Sequence, residues 1–524
     1  MVANGAERTQ TSRTIFHHNL VCDGSMSTVP AALMDNLERV RDWLGACSRH
    51  KNCPAPSKQP LPYRILDVGS SDIPRLRLIE DCKDEDEYIA LSYCWGIEDT
   101  FVTTRDNLAA FKLSIDERSL PQTFVDAIKV SRHLGQRYLW IDALCILQKD
   151  PVDWEQQSQK MGDIYSRAWL MISAANSRSV REGFLRPRPP NVKLFGTIQE
   201  GEVLHKVYIS IERSSEGLED GILNKEPLTM RGWTLQERLL SQRKLHFCKR
   251  QIYWQCGTVV CSEDYCDFLQ RAARPSIING IISSVYVTPP KPPNKAWRDV
   301  VRVYSGCRLS KNADRLPAIS GLAHQFSRHS LGNYYAGHWE SDLLSSLLWF
   351  NAYRPRLAPP DERCLPSWSW TAYHGEHPLS FLGYDQRFAL TITFVGTELW
   401  GMDPFGRVKS GRLGLVGSIV RVSFEDTRTE DVRTINSLSV HTETCQCEFA
   451  AKVHPDDEVD GKTGAHLYMI IFAFTAFGAA GLLLSANAEH ETFRRIGMVN
   501  SLAKESRGSH CKLPRPEPSA VVIV

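Results

Sequence analysis

Between Tyr88 and Ala175 apolar runs alternate with segments whose apolar residues recur every three to four positions, which predicts strands separated by amphipathic helices. "YIALSY" predicts the first strand. "LPQTFVDAIKVSRHLG" places Phe124, Ala127, Ile128, Ser131 and Leu134 on one helical face, with Pro121 suited to a first turn and Gly135 to a C-cap. "RYLWIDALCIL" predicts a second strand, apolar on both faces as a central parallel strand is. Asp150 then offers an N-cap, Pro151 a first-turn residue and Asp153 a charge suited to the positive end of the helix dipole. These predict a helix to about Tyr165, with Trp154, Met161 and Ile164 inward, and "AWLMISAA" predicts the third strand. Strands joined by helices imply an α/β fold with a parallel, doubly wound sheet and right-handed crossovers.

Such sheets bind ligands outside the carboxyl ends of their strands. Polar residues fall at those ends here: Ser92, Tyr93, Trp95 and the turning Gly96 after the first strand, Asp142 late in the second, and Ser173 late in the third. Trp95 and Trp140 fit a cleft and fit an ordinary aromatic core equally well. A carboxylate at Asp142, inside an apolar run, is costly unless paired or hydrogen-bonded, so it either caps a neighbouring loop or serves a ligand or reaction.

The flanks read differently. "MDNLERVRDWLGAC" predicts a leading helix, "PAPSKQPLP" a connection and "YRILDVG" a strand, in a first segment over 1–80. The α/β unit spans 86–240. From 241 to 500, short apolar runs and frequent turns predict a β-rich region with some helix, including one at "DRLPAISGLAHQF" begun by Asp314 and Pro317. "PSWSWTA" suits packing better than a ligand surface, and 501–524 reads as a loose, disordered tail. The run Leu467 to Ala488 carries no charge over 22 residues, close to the ~20 that a membrane helix needs. Its turn-like "FGAAG" centre favours two buried strands, leaving the membrane span as the weaker candidate.

Lys plus Arg number 62 and Asp plus Glu 60 in 524 residues, so charge argues for no nucleic acid or polyanion partner. The N-terminus shows no apolar secretory segment, and 15 scattered cysteines fit a reducing cytoplasm. Cys47, His50 and Cys53 form a soft-ligand triplet, but no fourth ligand stands at a familiar spacing, so the expectation is no metal. Cys256, Cys261 and Cys266 recur every five residues and read as strand packing.

"YIALSYCWG", "LWIDALCILQKDPVDWEQQSQKMGDIYSRAWLMISAA" and "RGWTLQERLLSQRKLHF" resemble, in order, the three signature blocks of the fungal heterokaryon incompatibility (HET) domain. "WLGACSRHKNC", "YYAGHWESDLLSSLLWF", "PSWSWTA" and the closing "FRRIGMV" fit the wider family. The resemblance implies an effector of nonself recognition whose activation leads to cell death, and a flavodoxin/TIR-like sheet. Some TIR domains cleave NAD, which makes NAD a substrate candidate, though no cofactor is established. In that chemistry Glu237 and Asp142 are the acids the blocks carry, and Trp95, Trp140 or Trp233 could stack on a ring. Equally, Glu237 could be a surface or salt-bridged acid beside Arg231, Arg238 or Arg243. The other reading is a noncatalytic module acting through a protein partner or self-association. No GxGxxG follows a strand, "DGKT" at 460–463 lacks the Walker glycine, and Cys94 has no sequence-adjacent base.

Overall fold

A computed structural model describes residues 37–55, 57–96, 101–188, 192–200, 203–210, 218–263, 292–351, 365–373, 377–382, 387–423, 435–441, 446–456, 467–475, 478–487, 491–506, 513 and 515–524. "DGKT", Cys266 and most of "TPPKPP" lie outside them.

The α/β part is built on eight strands: β1 (Arg64–Gly69), β2 (Pro74–Glu80), β3 (Tyr88–Ser92), β4 (Tyr138–Trp140), β5 (Leu170–Ser173), β6 (Lys244–Phe247), β7 (Ile252–Gln255) and β8 (Val260–Ser262). Their order across the sheet is β8-β7-β6-β5-β3-β4-β1-β2. The inner strands β6, β5, β3 and β4 run parallel, whereas β1 joins β4 antiparallel and β7 joins β6 antiparallel. The sheet is therefore mixed, not parallel throughout. Short connections account for the outer pairs: β1 to β2 and β6 to β7 to β8 are hairpins, and hairpins give antiparallel neighbours, whereas β1 and β4 are distant in sequence. The boundaries read at 80 and 240 cut through this sheet, because β1 and β2 lie before them and β6 to β8 after.

The helices include α1 (Leu37–Cys47), α2 (Leu108–Leu113), α3 (Gln122–His133), α4 (Asp142–Cys145), α5 (Pro151–Ser158), α6 (Met161–Arg167), α7 (Thr234–Leu240), α8 (Pro293–Ser305) and α9 (Pro317–Phe326). Helix α3 begins after Pro121 and stops before Gly135, whose φ of 77° is the left-handed value a glycine C-cap adopts. Asp150 caps α5 by accepting from the Val152 and Asp153 amides. The helix expected to run on to Tyr165 instead breaks at Gln159 and Lys160 and restarts as α6. Asp153 does more than meet the dipole. Its carboxylate is buried and accepts from Arg64 Nη1 and Nη2 at 2.9 Å and from the Leu147 amide at 2.7 Å. The second strand is also shorter than its apolar run: it stops at Trp140, and α4 begins at Asp142. Asp142 thus stands just past a strand end rather than inside a strand.

Helix α7 lies between two cores. Leu235, Leu239 and Leu240 join a second apolar cluster with Trp297, Tyr304, Trp339, Trp368 and Trp370. Residues two apart on a helix point about 200° apart, so Glu237 faces the sheet instead. Helices α6, α7 and α9 meet at Gly162 and Gly321. A Cβ added to Gly321 would lie 2.7 Å from Gly162 Cα, 2.8 Å from Gln236 Oε1 and 3.1 Å from Leu240 Cδ1. Gly321→Val is expected to cost about 1–3 kcal/mol through overpacking, read as a lowered thermal midpoint with the secondary structure retained.

"PSWSWTA" is packing in this structure. Trp368 and Trp370 are fully buried, Trp349 Nε1 donates to the Trp368 carbonyl at 3.1 Å, and Trp370 Nε1 donates to the Gly337 carbonyl at 2.9 Å.

The C-terminal region comprises β9 (Thr391–Leu399), β10 (Val408–Gly417), β11 (Ile419–Ser423), β12 (Ile435–His441), β13 (Gln446–Pro455), β14 (Leu467–Thr475), β15 (Gly478–Ala486), β16 (Phe493–Ser506) and β17 (Ser519–Ile523). Strands β14, β11, β12, β13, β16 and β15 pair antiparallel in turn and close on themselves, since β15 returns to β14. Closure explains the charge-free run. It forms the β14–β15 hairpin, and Met469, Ile471, Ala479 and Leu483 fill the ring's interior beside Val420, Leu438 and Val453. Among the described residues no helix is long and apolar enough to cross a membrane. The tail reading is corrected by β17, which pairs with β10 and buries Val521 and Ile523.

Candidate functional site

Glu237 and Ser92 are 145 residues apart in sequence, yet the Ser92 hydroxyl donates to Glu237 Oε2. Ser92 closes β3. Strand β5 ends beside it at Ser173, in parallel register. Tyr165, from α6, donates its hydroxyl to the Leu91 carbonyl at 2.9 Å and lies against the Glu237 carboxyl group. Asp142, at the start of α4, accepts from Trp95 Nε1 at 2.8 Å and from the Ala143 amide at 2.7 Å. Tyr93 stacks on Trp95 with ring centroids 6.5 Å apart, meets Phe124 edge-on at 5.3 Å, and turns its hydroxyl towards Asp142. Arg231, half-buried, donates from Nη1 to the Tyr93 carbonyl at 2.5 Å and places one positive charge beside both carboxyl groups.

Burial sets the electrostatics. It pushes the Glu237 carboxyl group up to about 7, helped by the neighbouring Asp142 charge and opposed by Ser92, Arg231 and Tyr165. Burial also raises Asp142, against the nearby Tyr93 hydroxyl, the hydrogen bonds from Trp95 and the Ala143 amide, and the Arg231 charge. Two carboxyl groups therefore share one guanidinium at the carboxyl ends of parallel strands. One of them is poised to gain or lose a proton near neutrality, which is what general acid–base and charge-stabilising chemistry requires.

Of the residues singled out in the sequence, Ser92, Tyr93, Trp95, Asp142 and Glu237 come together. Gly96 turns the chain at a φ of 89° next to Trp95 and is exposed. Trp140 is buried beneath them, edge-on to Tyr165 at 5.7 Å. Trp233 sits apart, edge-on to Trp154 at 6.3 Å and packed against both cores. Glu237 is buried rather than a surface acid, and Arg231 is among the groups whose charge acts on it. Tyr165 and the siting of Arg231 were not legible. The signal, an arginine six positions before an acid in "RGWTLQE", carries no direction without the fold.

Cys47, His50 and Cys53 lie away from this network, at the end of β7. Cys256 joins them there, so it is not simply a strand-packing thiol, whereas Cys261 is buried in β8.

No curated protein and no solved structure matches the chain. One family model does, that of the heterokaryon incompatibility protein (HET), over residues 88–237. Its range opens on the first residue of β3 and closes on the buried acid of α7, so it encloses the whole carboxyl network. Residues 88–237 therefore match the HET domain family.

Proposed function

We propose that this chain is a cytoplasmic effector of nonself recognition in heterokaryon incompatibility, that it triggers cell death, and that it does so by cleaving NAD at the Glu237 network. The observation carrying this reading is the buried carboxyl group of Glu237, held near neutrality beside Asp142 and Arg231 at the strand ends. The order of the parallel strands supports a TIR-like origin. Numbered along the chain they lie 2-1-3-4, as in flavodoxin-like sheets, whose ligands sit where strands 1 and 3 diverge. Ser92 and Ser173 end those two strands.

The chemistry follows from charge. The bond between ribose C1′ and the nicotinamide nitrogen breaks, and its electron pair neutralises the pyridinium, so the leaving group needs no proton. The Glu237 carboxylate stabilises the cationic ribosyl centre. Water adds to C1′ and gives its proton to Glu237, which releases it to solvent. Trp95, half-exposed at the rim, offers a face for the ring.

A second reading, a noncatalytic interaction module, is favoured by one observation: Asp142 and Glu237 are hydrogen-bonded within the protein, as a structural lock would be. Conditional expression in a fungal host separates the two. Under the catalytic reading the full chain arrests growth, and Glu237→Gln, at equal abundance, does not. Arrest by the variant equal to that by the parent supports the module.

A further inference from the structure

The segment "CSRHKNC" leaves the end of α1 in successive tight turns. The His50 amide donates to the Cys47 carbonyl at 3.1 Å, and the Cys53 amide donates to the His50 carbonyl at 3.3 Å. Residues three apart are thereby turned to one side. A second turn, from Cys256 to Val259, arrives opposite them, closed by the Cys256 amide donating to the Val259 carbonyl at 3.0 Å. Gly257 permits the approach, because a Cβ there would lie 2.9 Å from the Asn52 carbonyl oxygen.

The result is four soft donors around one point. Sulfur atoms of Cys47, Cys53 and Cys256 and a ring nitrogen of His50 all lie within 4.8 Å of one another. His50 Nδ1 stands 3.7 Å from Cys53 Sγ and 3.5 Å from Cys256 Sγ. A tetrahedral zinc ion, with bonds of about 2.3 Å to sulfur and 2.0–2.1 Å to nitrogen, sets ligand edges of about 3.5–3.8 Å. The edges match. All three thiols are free, and they are buried, while His50 is half-buried.

We propose that Cys47, His50, Cys53 and Cys256 bind a zinc ion in a closed Cys3His structural site. Four protein ligands leave no open position, so the ion staples rather than catalyses. Three thiolates around a divalent ion leave one excess negative charge. The Arg243 guanidinium beside Cys47, and the Thr258 and Val259 amides directed at Cys256, answer it as an outer shell. The site joins α1 to the β7–β8 hairpin, where Trp43 meets Trp254 at 6.5 Å. Every ligand lies outside residues 88–237. The staple therefore clasps the HET domain from both sides, against the strands that follow directly from α7 and Glu237.

The test uses the full chain, purified under reducing conditions without chelator, with metal content read by inductively coupled plasma mass spectrometry. One zinc per chain is expected. Cobalt exchanged into the wild-type protein should show the intense visible bands of tetrahedral thiolate coordination, a readout that needs no variant to fold. Cys256→Ser and His50→Ala should lose the metal, and Cys261→Ser, which removes a nearby buried thiol, should keep it. Wild-type protein with no zinc above the protein-free dialysate, even after zinc is supplied, would overturn the proposal. So would a disulfide joining two of the three cysteines in the reduced preparation.

Discussion

Glu237→Gln is expected to stabilise the protein above neutrality while removing its biological activity. Folding raises the Glu237 carboxyl group from its ordinary value of 4.5 to about 7. A group raised in this way favours the folded state fully below about 4.5, and its contribution disappears as pH rises through about 7. The window corresponds to about 3 kcal/mol at 1.36 kcal/mol per pH unit. Glutamine keeps the neutral form at every pH and can still accept from Ser92. Parent and variant should therefore melt alike near pH 4.5 and diverge by pH 8, with the variant the more stable. Subtracting one profile from the other cancels the remaining titrating groups, among them Asp342, which burial raises to about 6. Coincident profiles would mean that water reaches Glu237 and that the network lacks its central property.

Arg495→Met should produce the largest loss of stability. The guanidinium is buried in β16, lies 3.5 Å from the centroid of the Trp349 ring, and donates from Nε to Asp456 Oδ2 at 2.7 Å. It also donates to the Leu347 carbonyl at 2.6 Å and the Trp349 carbonyl at 2.5 Å. One side chain thus ties the closed ring of strands to the tryptophan-rich core. Methionine fills much of the volume but leaves a carboxylate and two carbonyls without this donor, a loss of about 3–5 kcal/mol. Lysine cannot serve all three of these groups from one plane. Adding Asp456→Asn to Arg495→Met should recover part of the loss in denaturant midpoint, because it removes the charge that Arg495 faces.

These two residues show where sequence reading stops. Strands β3 and β5 and helices α3, α5 and α9 were legible because each is specified locally, by apolar period, by Asp150 and Pro317, or by Gly135. The end of β4 was misjudged because the apolar run continues through Ile141 to Leu147, and apolarity alone cannot tell a strand from the buried short helix α4. Pairing was not legible at all. Nothing in "YRILDVG" says that it will border the strand of Trp140, nor in "QCGTV" that Cys256 will meet His50, 206 residues away. Arg494 is exposed and Arg495 buried, adjacent in "FRRIGMV", and only the closed ring decides which is which. The acids of the network were legible as types in unusual positions. Their partner Arg231 was not, because its role depends on α7 folding back onto β3.

The central claim is that the carboxyl network performs chemistry on NAD, and nicotinamide release from NAD by the purified full chain tests it most directly. Release by the parent, falling by about 10²-fold or more in Glu237→Gln at equal folded fraction, is the expected result. No release by the parent, or equal release by parent and variant, would contradict it.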